Sequence, residues 1–213
     1  MVKSIIFDFD GVIAESVNIK TKAFIKLYGK YGAEIVNKVS EHHTANGGMS
    51  RFEKFKFYHK KYLGVKLNVN GIKELSRLFS NIVVNEVIQA PFVLGAFDFL
   101  CKYNGEYDFF ILSATPESEI RKIASEKKIA RFFKGVYGSP KSKYFHIENI
   151  IKIFSYDRDE VVFIGDSVND LAAAKKSKIK FIARILENND QLIDEKYQMK
   201  NLRKLNYIIN SIP

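Results

Sequence analysis

The chain has 213 residues with 34 Lys and Arg against 24 Asp and Glu, a formal net charge of +10, and a single cysteine, Cys101. That length allows one large domain, or a core with a small accessory domain. One cysteine excludes an intrachain disulfide and a cysteine-based zinc cluster. No apolar run approaches the ~20 residues a membrane span needs, and the opening Met-Val-Lys-Ser-Ile-Ile-Phe-Asp lacks a signal-peptide pattern, so a soluble, cytoplasmic protein is expected. The lysines are spread along the chain rather than gathered in a block. They read as a solvated surface, and a nucleic-acid partner is not expected.

In chain order, Ser4–Phe9 is a β-type apolar run stopped by Asp10-Gly11. Residues 17 to 88 differ. They show helical spacing in Val17–Tyr31, Arg51–Leu63 and Ile72–Val87, with turns at Gly47-Gly48 and Gly64. Phe52, Phe55, Phe57, Tyr58 and Tyr62 are read as the apolar face of that helical region. Tyr107–Leu112 is a second strand stopped by Ser113, Glu160–Ile164 a third stopped by Gly165-Asp166, and Lys180–Ala183 a fourth candidate. Helical segments Pro116–Lys127, Ser142–Phe154 and Asn169–Ser177 lie between them. Short all-apolar strands alternating with helices predict an α/β fold, a doubly wound, Rossmann-like parallel sheet. Residues 1–15 and 90–213 form the expected core, and 16–89 an inserted all-helical cap.

In such sheets ligands bind at the carboxyl ends of strands. Asp8 and Asp10 follow the first strand, Ser113 and Thr115 the second, and Asp166 and Asp170 a later one. Carboxylates gathered at one edge repel one another unless a hard cation neutralises them, and Mg²⁺ takes oxygen ligands of this kind together with substrate phosphate. A carboxylate can attack phosphorus, and a second one two residues on lies on the same side of the strand and can move the leaving-group proton. A hydroxyl and a lysine would hold the phosphoryl oxygens. Thr115, just before Pro116, is read as the cap of the following helix, which leaves Ser113 for phosphate.

Asp8-Phe-Asp10-Gly-Val, Ile111-Leu-Ser113-Ala-Thr115 and Gly165-Asp166-Ser-Val-Asn-Asp170 together resemble the first, second and fourth motifs of the haloacid dehalogenase superfamily. The helical insert resembles its C1 cap. The resemblance implies Asp8 as nucleophile and Mg²⁺ ligand, and Asp10 as acid/base and, through its carbonyl, a further ligand. It also implies Ser113 with Ala114 on the phosphoryl group, Asp166 on the metal, and Asp170 as a water-mediated ligand or as the orienter of a lysine. That lysine is Lys143 or Lys141, with Lys143 preferred because it opens a helix. An Asp at position 10 resembles the phosphatase and phosphomutase branch. Gly47-Gly-Met-Ser-Arg51 resembles the specificity loop of C1-capped members, where an arginine such as Arg51 binds a distal phosphate; a surface arginine at a helix start is the competing reading. Glu15 is placed at the hinge into the cap, and His42, His43 and His59 are read as packing or surface residues. The expected substrate is a small phosphorylated metabolite, hydrolysed as by phosphoglycolate phosphatase-like members or isomerised as by β-phosphoglucomutase. A monomer or weak dimer is expected.

Overall fold

The computed structural model describes residues 1–186 and 190–212. The elements run β1 (Ser4–Phe7), α1 (Val17–Tyr28), α2 (Ala33–Ala45), α3 (Arg51–Tyr62), α4 (Val69–Gln89), α5 (Ala96–Tyr103), β2 (Asp108–Pro116) and α6 (Glu117–Glu126). They continue through β3 (Phe133–Ser139), α7 (Lys143–Phe154), β4 (Val161–Gly165), α8 (Val168–Lys176), β5 (Lys180–Arg184), β6 (Gln198–Met199) and α9 (Leu205–Asn210). No described helix is long and apolar enough to cross a membrane.

The strands form one parallel six-stranded sheet in the order β3-β2-β1-β4-β5-β6. This is the expected doubly wound α/β core. β1 pairs with β2 on one side and β4 on the other, aligning Phe7 with both Ile111 and Ile164. Alternation along each strand divides the apolar residues between two cores. Ile5, Phe7, Phe109, Ile111, Val162 and Ile164 face one cluster, while Ile6, Phe110, Leu112, Val161 and Phe163 face the other. The sheet is therefore buried on both faces, as its unbroken apolar strands require. Two strands had no reading in the sequence. In β3 glycines interrupt the apolar pattern, and β6 has only two residues.

Helices α1 to α4 fall between β1 and β2 and form the helical cap. Entry and exit run side by side: Glu15 N–H donates to Pro91 O at 3.0 Å, and Val93 N–H to Ile13 O at 3.0 Å. Phe24 of α1 is the hub of the cap, with ring centroids 4.5 Å from Phe79, 5.8 Å from Phe55 and 5.7 Å from Tyr58. The expected apolar face of α3 needs revision. The buried residues are Arg51, Lys54, Phe55, Tyr58 and His59, spaced i, i+3, i+4, i+7 and i+8 as one inward stripe demands. Phe57 lies off that stripe, exposed and stacked on His42. The inward face of α3 thus carries two cations.

Candidate active site

The end of β1 sets the site. Asp8 N–H donates to Ile164 O at 2.9 Å, extending the ladder with β4 by one residue and fixing Asp8 at the sheet edge. Gly11 then turns the chain with φ +77°, and a Cβ there would come within 2.2 Å of Asp166 Oδ2. Only glycine tolerates both the left-handed backbone and that approach. After β4, Ser167 caps α8: its hydroxyl accepts from Asp170 N–H at 3.3 Å, while Asp170 Oδ2 accepts from Ser167 Oγ at 2.7 Å. That reciprocal box holds Asp170 rigid and fully buried.

Asp8, Asp166 and Asp170 each offer a carboxylate oxygen, all within 4.8 Å of one another and all buried. Lys143, at the first position of α7, ion-pairs with Asp8 at 2.9 Å and with Asp170. Burial raises Asp8 to about 7, opposed by Lys143 and reinforced by Asp170 and Asp10. Burial, then Asp8 and Asp170, hold Asp166 well above the usual carboxylate range. Burial works against the Lys143 ammonium, but Asp170 and Asp8 outweigh it and raise its pKa. One ammonium set among three carboxylates leaves excess negative charge. Asp8 Oδ1 also lacks a well-aligned hydrogen bond although Lys143 is near. An all-oxygen, acidic, under-satisfied cluster is the donor set a hard divalent cation takes.

Asp10 stands apart from that cluster. Its carboxylate accepts from Ser16 Oγ at 2.6 Å and pairs with Lys20, one helical turn further along α1. Lys20 also donates to Thr115 Oγ1 at 2.7 Å, so Thr115 faces the site. The N-cap position of α6 is Pro116, without a side-chain cap; the expected Thr115 cap is not formed. Burial pushes Asp10 up, but Lys20 and Ser16 outweigh it, and its pKa lies below the ordinary carboxylate value. Ser113 is buried, with Oγ 3.5 Å from Asp10 Oδ2.

Of the two less certain candidates, one lies away from the site and the other lines it with its charge already paired. Lys141 is exposed, its ammonium 4.7 Å from the Phe145 ring centroid, because only Lys143 starts the inward face of α7. Arg51, 5 % exposed, binds Glu119 of α6 through both guanidinium nitrogens, at 3.1 and 2.5 Å, and Ser80 at 2.8 Å. Its charge is spent on a cap-to-core ion pair. Residues the sequence left unmarked complete the surroundings. Arg184, ending β5, donates to Gly11 O at 2.7 Å and to both oxygens of Glu15, bracing the loop beneath the hinge. Lys54, 1 % exposed, approaches His43 Nδ1 at 2.6 Å. The Ser16/Lys20 and Arg51/Lys54/Phe55 spacings were the available signals, since each puts its members on one helix face.

A cavity of about 870 Å³ joins the two regions, lined by Asp8, Asp10, Ala114, Thr115 and Asp166 from the core and by Lys20, Arg51 and Lys54 from the cap. The cap closes closely on the core beside it: a Cβ on Gly48 would lie 2.6 Å from Ser167 Oγ and 2.8 Å from Asn169 Cβ.

The chain belongs to the haloacid dehalogenase-like hydrolase family, which it matches over residues 5–184. The protein is therefore a hydrolase by family. Three solved structures share the fold. A haloacid dehalogenase-like family hydrolase from Streptococcus pneumoniae is 21% identical with a TM-score of 0.71, covering 97% of this chain and 98% of its own. A predicted phosphoglycolate phosphatase from Haemophilus somnus is 16% identical with a TM-score of 0.74, covering 97% of each chain. CbbY from Rhodobacter sphaeroides, solved in complex with phosphate, is 14% identical with a TM-score of 0.77, covering 96% of each chain. No curated protein matches the chain by sequence.

Proposed function

We propose that the protein is a Mg²⁺-dependent phosphohydrolase of a small phosphomonoester, working through an aspartyl-phosphate on Asp8. The observation that carries this reading is the buried set of Asp8, Lys143, Asp166 and Asp170 at the end of the sheet, with Asp10 two residues beyond Asp8 on the same cavity. Asp8, Asp166 and Asp170, with the Asp10 carbonyl, are the groups that would hold the ion. Bound there, Mg²⁺ supplies charge neutralisation for the carboxylates and the phosphoryl oxygens.

The Asp8 carboxylate attacks phosphorus. A bond from its oxygen to phosphorus forms as the bond to the leaving oxygen breaks, and Asp10 gives that oxygen a proton. In the second half water attacks the acyl phosphate, Asp10 takes its proton, and phosphate leaves Asp8. Lys143 holds Asp8 in line, and Ser113 with the Ala114 backbone meets the phosphoryl oxygens. Lys20 and Ser16 favour the Asp10 carboxylate, the form the hydrolytic half uses as base. The sugar-phosphomutase reading assigns the second phosphate to Arg51, and Arg51 is already paired with Glu119. Hydrolysis is therefore the reading we adopt.

A panel of small phosphomonoesters with Mg²⁺ tests it. We expect phosphate release from the wild type and a loss of about four orders of magnitude or more in Asp8→Asn, the scale of removing a covalent nucleophile. Equal release by the two proteins would sink the mechanism.

A further inference from the structure

The arginine that ends β5 is bonded through every nitrogen of its guanidinium. Arg184 Nη1 donates to Gly11 O at 2.7 Å and to Glu15 Oε2 at 3.0 Å. Nη2 donates to Glu15 Oε1 at 2.6 Å, and Nε to Lys200 O at 3.3 Å. Arg184 is 8 % exposed, whereas the Glu15 side chain is 41 % exposed. An ion pair that open to water contributes little stability, so what this one supplies is geometry. The planar fork ties β5 to the carbonyl of the residue after Asp10 and to the entry strand of the cap. None of these four bonds goes to Asp8, Asp10, Asp166 or Asp170, so Arg184 works through the loop.

The placement of Gly11 matters on two sides. Its chain neighbour is Asp10, whose carboxylate lines the cavity. Its Cα presses on Asp166, since a Cβ there would lie 2.2 Å from Asp166 Oδ2. The turn is closed by its own backbone: Gly11 N–H donates to Ala14 O at 2.8 Å, and the N–H groups of Ile13 and Ala14 donate to Phe9 O at 2.9 and 3.0 Å. A turn closed in this way can tilt as a unit on the end of β1. Such a tilt would swing Asp10 and loosen the contact behind Asp166. The Arg184–Gly11 bond reaches across from two strands away, because β4 lies between β1 and β5, and it opposes that tilt.

We propose that Arg184, oriented by Glu15, is a positioning residue for the reaction. It holds the Asp10-Gly11 turn at the tilt that aims Asp10 into the cavity and seats Gly11 against Asp166. This rests on the phosphohydrolase reading for the roles of Asp10 and of the metal-binding carboxylates. Glu15 also begins the hinge, where its N–H donates to Pro91 O at 3.0 Å. The same arginine therefore links the seat of the acid/base to the strand that enters the cap.

The test compares the wild type with Arg184→Met, which keeps much of the side chain and removes the fork. Phosphate release is measured well below the melting temperature, and Mg²⁺ binding is measured by calorimetry without substrate. We expect kcat to fall about 10- to 100-fold with KM nearly unchanged, and Mg²⁺ affinity to fall by a similar factor, the scale of losing a group that orients ligands from behind. Arg184→Ala should regain activity in millimolar guanidinium chloride and not in sodium chloride, a rescue that a merely structural role would not give. Glu15→Gln, at a more exposed side chain, should lower kcat by about threefold to tenfold. Combining it with Arg184→Met should slow the enzyme no further than Arg184→Met alone, because both act through one link. Unchanged kcat and Mg²⁺ affinity in Arg184→Met, or in Arg184→Lys where the first variant does not fold, overturns the proposal. So does a double variant slowed by the product of the single effects. A wild type that released no phosphate would instead overturn the phosphohydrolase reading, and the Mg²⁺ titration would still report on Arg184.

Discussion

The two walls of the cavity are built by different physics. On the core wall, every acidic group sits within a few residues of a strand end, and parallel hydrogen bonding sets its position: Phe7 aligned with Ile111 and Ile164 puts Asp8 beside Ser113 of β2 and the loop that carries Asp166. On the cap wall, Lys20, Arg51 and Lys54 project from helices whose places are set by aromatic packing around Phe24. Backbone ladders leave little freedom, so the core wall is where charge can be concentrated at high cost. Helices docked through side chains can exchange the residues they present, so the cap wall is where selectivity is expected to reside.

Perturbing each wall separately sharpens that contrast. The largest effect is expected from Lys143→Met. Removing the cation between Asp8 and Asp170 leaves buried carboxylates unpaired and should cost about 3–5 kcal/mol, read by denaturant unfolding in EDTA, together with loss of turnover. Next is the metal. Burial holds Asp8 up to about 7 and Asp166 well above its ordinary value. Without metal the folded protein therefore binds more protons than the unfolded chain between about pH 4 and 7, and its stability falls as pH rises through that window. A cation taken by the ionised carboxylates should reverse the slope, adding about 3 kcal/mol at a hundredfold excess over Kd. A melting temperature unaffected by Mg²⁺ at pH 7 would break the assignment of the cluster.

Cap-side changes should be smaller and should spare metal binding. Glu119→Gln removes the carboxylate that neutralises Arg51 at the cap-core boundary, and about 1–3 kcal/mol of stability is expected to go with it. The Mg²⁺-dependent rise in melting temperature should be unchanged. A loss of that rise would mean that the walls are not independent. Lys20→Met is expected to have the smallest effect on stability but a distinct kinetic one. With the ammonium gone, Asp10 moves back up, and the acid limb of the kcat-pH profile should shift to higher pH by about one unit, near 1.4 kcal/mol.

The sequence carried most of the core wall. Asp8 and Asp10 after Ser4–Phe7, Ser113 within β2, and Asp166 and Asp170 after β4 were legible, because a short unbroken apolar run marks a strand buried on both faces and the polar residues that stop it mark its carboxyl end. That Lys143 opens a helix was legible from the helical spacing that follows it. Lys141 against Lys143 needed the coordinates, since only the inward face of α7 distinguishes them. The cap wall was read less well. Arg51 stood out by its motif, yet its partner Glu119 is 68 positions away, and nothing local marks that meeting. Lys54 looked like one surface lysine among many until α3 was seen to turn it inward with Phe55 and Tyr58. Periodicity reveals which residues share a face. Where that face points, and which charges it meets there, is decided by packing between segments far apart in the chain.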